Sequence, residues 1–291
     1  MILDFHVHPD FSIDAQGKMI DYARNAQKAG ISELCFTTHL DLVPEREHID
    51  GFVRVNGEVH PVDSGWIPDY FEEVIKVQDR FQSKGLLVRI GLEVDYHPAV
   101  EHEIDQITSE FPFDYILGAV HSIEGQSIAV PEDCRVLCRD KKPEELCQSY
   151  FDLLMQAVKS NLFDSLAHLD LYKRFSYDLY KDQINHAHNK YWEPVCKEIV
   201  KQKTAVEINT GNLRKGFSQP NPSEDLLTDL YEAGAEYITV GSDAHHPSLV
   251  GYHILEAYRV AERIGFENIY RFVGRSASKA VQFKDSEAVA I

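Results

Sequence analysis

The sequence predicts an α/β protein built on a parallel sheet. Seven short β-rich runs alternate with amphipathic helical stretches along the 291 residues. Such helices are the crossovers that parallel strands require. No break in composition, internal repeat or low-complexity segment divides the chain, and its length suits one large domain. An open doubly wound sheet and a closed barrel both fit this pattern.

The predicted strands share a high content of apolar and β-branched residues. They cover residues 3–8, 34–39, 87–94, 115–121, 165–169, 205–209 and 237–243. The helical stretches between them have apolar residues at helical spacing, and three of them end at a glycine, a common helix terminator. They cover residues 21–29, 68–84, 98–109, 143–160, 185–202, 225–233 and 247–264.

Two connections are long for a compact α/β domain. Residues 40–67 contain Pro, Gly, Asp and Trp66, and residues 122–142 contain Gly125, Pro131 and several charges. Long loops of this kind often cover active sites, and plain surface insertions fit equally well. We therefore expect a single domain, residues 1–291, with both loops near the active-site face.

The composition narrows the range of partners. The net charge of −18 gives a surface that repels polyanions, which argues against nucleic acid. A small anionic substrate remains compatible if cations neutralise its site. No apolar run approaches the ~18 residues needed to cross a bilayer, so no membrane partner is expected.

The cysteines favour a reducing compartment. They are odd in number and irregularly spaced, and the N-terminus lacks the basic-then-apolar pattern of an export signal. This pattern predicts free thiols in a cytoplasmic protein. The five are Cys35, Cys134, Cys138, Cys147 and Cys196.

The ends of the predicted strands carry metal-ligand side chains. The first strand ends in His6 and His8, which point the same way because they are two residues apart in a strand. The seventh ends in Asp243 and His245, at the same spacing. All the other strands except the sixth end in one such residue, namely His39, Glu93, His121 and His168.

These side chains are expected to converge, because the catalytic groups of barrel enzymes lie at the C-terminal strand ends. Imidazoles mixed with carboxylates suit zinc, iron or manganese. Glu93 has two oxygens and could bridge two ions, usually ~3.5–4 Å apart. Asp14, in the loop after the first strand, could serve a neighbouring ion. The other histidines, including His188, are interpreted as surface residues, except His97 and His246, which lie close to ligand candidates.

In this order, the residues resemble the PHP (polymerase and histidinol phosphatase) phosphoesterase family over essentially the whole chain. Pro9 and Thr38 stand where Thr and Glu are usual in that family, and neither is a proposed ligand. The resemblance implies a distorted (β/α)7 barrel, similar to a TIM barrel, with a trinuclear metal site. The resemblance rests on residues 4–8 with Ser12 and Asp14, then on residues 36–39, 91–93, 118–122, 167–170 and 241–245.

Carried over residue by residue, the resemblance implies three divalent ions, which are zinc, iron or manganese. The first ion lies near His6, His8, Glu93 and Asp243. The second lies near Glu93, His121 and His168. The third lies near Asp14, His39 and His245.

The runs 91–96, 118–123 and 207–210 are similar to the monofunctional histidinol-phosphatase branch of the family. This similarity implies a metal-dependent phosphomonoesterase that hydrolyses L-histidinol phosphate to L-histidinol and phosphate in histidine biosynthesis. Bound metals would neutralise the phosphate and lower the pKa of a bridging water.

Roles follow for several residues. Arg214, just past the sixth strand, is expected to bind the phosphate, since its planar fork matches phosphate oxygens. Lys173 and Arg174, just past the fifth strand, are the next candidates. His245 or a metal-bound water would protonate the leaving alkoxide. The ammonium and imidazole of the substrate would meet acidic residues of the first long loop, namely Asp41, Glu45 or Asp50.

Three alternatives remain open at this point. The same metals would serve a PHP phosphoesterase acting on another small phosphorylated metabolite or a nucleotide. An amidohydrolase-type enzyme also begins with two spaced histidines, but it generally has eight strands and often a modified lysine, and no predicted strand here ends in lysine. A non-catalytic metal-binding module is the third alternative.

Overall fold

The barrel strands predicted from the sequence are present. The computed structural model describes residues 1–283, apart from the side chain of Ser64, so residues 284–291 of the predicted domain lie outside the described residues. Seven parallel strands form one sheet. They are β1 (Leu3–Val7), β2 (Glu33–Asp41), β5 (Leu87–Asp95), β6 (Tyr115–Ala119), β9 (Ser165–Leu166), β10 (Ala205–Asn209) and β11 (Ile238–Gly241).

The sheet curls until its first and last strands meet. Its order is β1-β2-β5-β6-β9-β10-β11, and a parallel bridge joins Val7 to Ala244. The buried Asp4 strengthens this seam, because its carboxylate accepts hydrogen bonds from the backbone N–H and the hydroxyl of Ser242, at 2.9 and 2.6 Å. The prediction of a distorted seven-stranded barrel is therefore confirmed.

Helices surround the sheet. The 18-residue α6 begins and ends where the sequence predicts, with Pro143 in its first turn and Asn161 in the left-handed conformation after its last residue. None of the helices in residues 1–283 is long and apolar enough to cross a membrane. The helices are α1 (Met19–Lys28), α2 (Glu47–Asp50), α3 (Ile67–Gln82), α4 (Glu101–Glu110), α5 (Pro131–Cys138), α6 (Pro143–Ser160), α7 (Lys173–Tyr180), α8 (Ile184–Ala187), α9 (Asn189–Gln202), α10 (Gly211–Arg214), α11 (Glu224–Glu232) and α12 (Ile254–Ile264).

Four predicted strands extend too far at their C-terminal ends. The first ends at Val7 instead of residue 8, and the fourth ends at Ala119 instead of residue 121. The prediction for the fifth strand ran from 165 to 169, but β9 ends at Leu166 because the backbone turns out of the sheet, with φ 29° at His168. The seventh strand ends at Gly241, and Asp243 has φ 55°. Positive φ is uncommon for residues other than glycine and is found mainly where the surrounding structure enforces it.

Three β-hairpins were not predicted. They are β3 (Phe52–Val55) with β4 (Glu58–Pro61), β7 (Ser122–Ile123) with β8 (Gln126–Ser127), and β12 (Asn268–Val273) with β13 (Ser276–Gln282). Each has a two-residue loop in which both residues have positive φ, as in the type I′ turn. For the first hairpin, the dipeptide Asn56-Gly57 was a readable signal for such a turn.

The last hairpin, β12–β13, packs at the N-terminal ends of barrel strands. Arg271 pairs with Glu33 at the start of β2, with a nitrogen–oxygen distance of 2.8 Å. Arg275 pairs with Asp164, just before β9, at 3.1 Å. This end of the barrel is therefore occupied, and the C-terminal strand ends are left to carry a site.

Candidate metal centre

Glu93 lies at the centre of the histidine cluster. It is 1% exposed on β5, opposite His39 in the register of β2 with β5. Its Oε2 lies 3.2 Å from Nε2 of His6, 3.3 Å from Nε2 of His8 and 3.2 Å from Nδ1 of His39. One carboxylate oxygen therefore faces three imidazoles from two neighbouring strands.

The other oxygen of Glu93 faces a separate pair of histidines. Its Oε1 lies 2.9 Å from Nε2 of His168 and 3.4 Å from Nε2 of His121. The two imidazole nitrogens are 3.3 Å apart. Because its two oxygens serve different groups, Glu93 has the geometry of a bridging ligand.

Asp243, which follows the last barrel strand β11, approaches His6 and His8. Its Oδ1 lies 3.8 Å from Nε2 of His6, 3.6 Å from Nε2 of His8 and 3.3 Å from Nδ1 of His245. A neighbouring glycine makes this approach possible, since a Cβ at Gly241 would lie 2.3 Å from Cβ of His6. Strand β11 therefore needs glycine where it passes the site.

A third group forms at the outer edge of the cluster. The ring of His8 contacts the rings of His39 and His245, each with its centroid 4.2 Å away, and these two centroids are 5.8 Å from each other. Oδ2 of Asp14 lies 3.1 Å from Nε2 of His245 and 3.7 Å from Nε2 of His39. The structure thus brings the nine predicted metal ligands together, and it adds His8 to the group of His39 and His245.

The hydrogen bonding of the buried histidine nitrogens is consistent with a metal centre. Nε2 of His6, Nε2 of His8 and Nδ1 of His39 are buried and form no hydrogen bond of good geometry within residues 1–283, although each lies 3.2–3.3 Å from the one oxygen Oε2 of Glu93. Unpartnered buried polar atoms are costly, and a cation bound by their lone pairs would remove that cost. A further group of possible ligands joins His39 and His121 to Asp41, which the sequence had suggested only for substrate binding.

The electrostatics of the cluster favour ionised carboxylates. Burial acts to raise the pKa of Glu93, but the charges of His6 and His121 outweigh it and hold that pKa well below its usual value. Asp243 behaves in the same way, since burial is opposed by His6 and His245 and its pKa is lowered. The site therefore offers negative charge to cations at neutral pH.

Sequence reasoning missed Glu207, the acidic residue of the sixth strand. It is 1% exposed on β10, and its Oε1 lies 2.6 Å from Nδ1 of His6. Its Oε2 accepts hydrogen bonds from the backbone N–H of His168 at 3.2 Å and from the side chain of Asn209 at 3.1 Å. Carboxylates in this position fix the tautomer and orientation of a ligating histidine. An ionisable residue inside a buried strand was the available signal.

Asp95 supports the histidine of the neighbouring strand. Its two oxygens accept hydrogen bonds from the backbone N–H of His121 at 2.7 Å and from the hydroxyl of Ser122 at 2.9 Å. The turn that carries His121 is therefore held to the end of β5.

A cavity of about 390 Å³ opens onto the cluster. Its basic residues are Arg174, Arg214 and Lys215, and its acidic residues include Asp41 and Asp50. Both long loops contribute to it, the first through residues 41–52 and the second through residues 127–130.

The predicted phosphate-binding residues divide between the cavity and its surroundings. Arg214 lines the cavity and donates to the backbone carbonyls of Ser242 at 2.8 Å and Asp243 at 2.7 Å. Arg174 is 6% exposed, and its Nη2 has no partner among the described residues. Lys173 is not among the lining residues, because its ammonium is held by Asp170 at 3.3 Å.

Lys215 is a cavity residue that the sequence reasoning did not select. Burial and the nearby charge of Arg174 lower the pKa of its ammonium to about 8. Its position beside Arg214 in the chain was the only available signal.

The remaining histidines lie outside the cavity lining. The surface prediction for His188 is wrong, since it is 6% exposed and packs beside the rings of Phe151 and Tyr172. His97 and His246 accept hydrogen bonds from backbone N–H groups two residues ahead and begin short 3₁₀ turns.

Comparisons with known proteins agree with this geometry. The PHP domain profile matches residues 4–211. A probable histidinol-phosphatase from Deinococcus radiodurans is 31% identical over 264 residues, which cover 91% of this chain and 94% of that protein. A histidinol-phosphatase from Lactococcus lactis is 27% identical over 283 residues, covering 95% and 96% of the two chains.

A solved structure has the same fold. The crystal structure of histidinol phosphate phosphatase from Lactococcus lactis, in complex with zinc, L-histidinol and phosphate, superposes with a TM-score of 0.75. It is 24% identical to this chain and covers 96% of it, while 99% of that chain is matched. The resemblance found in the strand-end motifs is confirmed, and the chain belongs to the PHP domain family.

Proposed function

We propose that the chain is a metal-dependent phosphomonoesterase that hydrolyses L-histidinol phosphate to L-histidinol and phosphate in histidine biosynthesis. The observation that carries this proposal is the buried carboxylate of Glu93, shared by two groups of imidazoles beside a cavity that holds three basic side chains. The names of the Deinococcus and Lactococcus relatives support the choice of substrate.

Three divalent ions are proposed at the cluster, with zinc, iron or manganese as the candidates. Bound there, such ions supply Lewis-acid charge neutralisation and acidify water. His6, His8, Glu93 and Asp243 would hold one ion. Glu93, His121 and His168 would hold the second, and Asp14, His39 and His245 the third.

The basic residues of the cavity bind and orient the phosphate in this proposal. Arg174 offers its unpartnered Nη2, while Arg214 adds charge from a guanidinium that two carbonyls hold in place. Guanidinium groups match the oxygens of a phosphate in pairs. The leaving alkoxide would take its proton from a metal-bound water, or from His245, which lines the cavity and is 24% exposed, in a state in which His245 does not hold the third ion. Asp41 and Asp50 line the same cavity and suit a substrate whose other end is cationic.

A phosphate-release assay tests the substrate. L-histidinol phosphate is compared with other phosphorylated metabolites and nucleotides, with manganese, zinc or iron added. We expect L-histidinol phosphate to be the preferred substrate. Faster hydrolysis of another phosphomonoester, with none of L-histidinol phosphate, would contradict the specific assignment. Turnover that a chelator abolishes and metal restores would exclude a non-catalytic module.

The variant Glu93→Gln tests the bridging role. The amide keeps the size of the side chain but replaces one ligating oxygen with an N–H donor. We expect activity to fall by at least about a hundredfold, together with metal content measured by elemental analysis. Wild-type rates and metal content in this variant would refute the bridge.

The five cysteines are all free thiols and buried. This state supports the proposal that the enzyme works in the cytoplasm, where thiols stay reduced.

A further inference from the structure

The loop that follows β1 has no regular structure, although it carries Asp14. Residues 10–15 lie between β1 and α1 and contain only turns and one isolated bridge. The side chain of Asp14 is 54% exposed, so its contacts with His39 and His245 alone do not enclose its carboxylate. The position of its carboxylate therefore depends on what holds the backbone of this loop.

The side chain of Arg54, from the hairpin β3–β4, holds that backbone. Its Nη1 donates to the carbonyl oxygen of Asp10 at 2.8 Å, and to those of Ser12 and Ala15 at 3.3 Å each. Its Nη2 donates to the carbonyl oxygen of Ile13 at 2.9 Å. One guanidinium thus binds four carbonyls on both sides of Asp14.

The backbone of the hairpin attaches to the same loop. The N–H of Arg54 donates to the carbonyl of Phe11 at 2.8 Å, and Ser12 forms an antiparallel bridge with Val53. Five of the six carbonyls from residue 10 to residue 15 accept a hydrogen bond from Arg54. The hairpin β3–β4 of the first long loop therefore fixes the backbone of residues 10–15.

We propose that Arg54 is a positioning residue that sets the conformation of residues 10–15 and so directs Asp14 toward a cation shared with His39 and His245. The proposal rests on the proposed metal-binding function of the cluster. It assigns the β3–β4 segment of the first long loop to assembling the metal centre rather than to opening and closing over it.

Arginine suits this task because its planar guanidinium presents five N–H donors in fixed directions. A lysine ammonium carries its three donors on a single nitrogen. It cannot bind all four of the carbonyls that the two terminal nitrogens of Arg54 bind. Arg54→Lys keeps the positive charge and a long stem, so it removes the donor geometry while disturbing the fold least. Arg54→Met removes both the charge and the donors.

Metal binding measures this role directly. The wild type and the variants Arg54→Lys, Arg54→Met and Asp14→Asn are dialysed against a series of buffered zinc concentrations, and bound zinc is counted per chain. We expect Asp14→Asn to weaken one binding step. Both Arg54 variants should weaken the same step by about 10–100-fold, the usual effect of removing a residue that supports a metal ligand. The other steps should stay unchanged.

A matched control removes a guanidinium elsewhere. Arg24 is half exposed on α1 and pairs with Asp21, so Arg24→Met should bind zinc as the wild type does. Circular dichroism and thermal melting check the fold of each variant. If Arg54→Met does not fold, Arg54→Lys decides the question, since it retains the charge.

Three results would overturn the inference. The first is wild-type zinc binding by Arg54→Lys at the step that Asp14→Asn weakens. The second is wild-type binding by Asp14→Asn itself. The third is an even weakening of all steps, which reports a general loss of structure. The measurement needs no substrate, so a wild type that fails to hydrolyse L-histidinol phosphate would contradict the proposed function and leave this comparison intact.

Discussion

At the scale of single residues, the cluster depends on side chains behind the ligands as much as on the ligands. Glu207 lies 2.6 Å from Nδ1 of His6 and also accepts from the backbone of His168. Glu207 therefore contacts both His6 and His168, which are also linked through the two oxygens of Glu93. A carboxylate in this position raises the basicity of the ligating nitrogen and fixes its direction.

The variant Glu207→Gln should weaken metal binding by about 10–100-fold with little change in the melting temperature of the metal-free protein, because the amide fills the same space without the charge. Zinc titration of the purified variant measures the effect. Glu103→Gln, at an exposed position of α4, is the matched control. Unchanged zinc affinity in Glu207→Gln would show that Glu207 does not support His6.

Protons compete with metal ions at this cluster. Burial opposes charge on His121, but Glu93 outweighs it and raises the pKa of His121 to about 9. Burial likewise opposes charge on His6, while Glu207 and Glu93 raise its pKa well above the usual value. Without metal these imidazoles carry protons at neutral pH, and a metal ion must displace them.

Metal affinity should therefore rise with pH between 6 and 9, by up to about tenfold per unit for each displaced proton. Manganese titrations at several pH values between 6 and 9, followed by calorimetry or elemental analysis, measure the slope. An affinity that stays constant over this range would mean that the histidines bind metal without losing protons.

At the scale of secondary-structure elements, the two long loops are joined to each other. Arg46, 4% exposed in the first loop, pairs with Asp50 of the same loop and lies 2.7 Å from Asp133 on α5. It also donates to the carbonyl of Gly125 at 3.2 Å. Because both loops line the cavity, this cluster sets the distance between two of its walls.

Arg46→Met should raise KM for the substrate by about tenfold, a loss near 1.4 kcal/mol, and change kcat less, because it disturbs the cavity wall and not the metal ligands. Steady-state kinetics separate the two constants. The control is Arg135→Met, which removes an exposed guanidinium from α5. An equal fall in kcat and in kcat/KM would place Arg46 in the chemical step instead.

At the scale of the whole molecule, the candidate metal centre draws on most of the barrel strands. Its proposed ligands lie on or just after β1, β2, β5, β6, β9 and β11, which includes both sides of the closing seam. Ions bound here would hold together strands that are far apart in the chain. Anything that binds only the folded state stabilises it in proportion to the logarithm of its concentration over Kd.

Removing the metals with a chelator should therefore lower Tm. An ion present at a hundred times its Kd contributes about 2.7 kcal/mol, which corresponds to about 5–10 °C for a protein of this size class. Differential scanning calorimetry with and without chelator measures the shift, and added zinc should reverse it. Identical melting curves would contradict tight metal binding by the folded chain.

Much of the fold, and the convergence of most of the proposed ligands, could be predicted from the sequence. The alternation of strands and helices dictates a parallel sheet, and parallel strands bring all their C-terminal ends to one face. A residue placed at the end of a strand, such as His39, Glu93 or His121, must then face the same region. The spacing of His6 and His8 also predicted that their side chains point the same way, because residues two apart in a strand lie on the same face.

Only the tertiary structure determined which residues support and surround that set. Lys173 and Arg174 are adjacent in sequence, yet packing of α7 turns Arg174 into the cavity and leaves Lys173 with Asp170. Glu207 and Arg54 act on partners far away in the chain, and no local pattern encodes such distances. Strand periodicity is a local property of the backbone, whereas the direction of a helix or loop side chain depends on what packs against it.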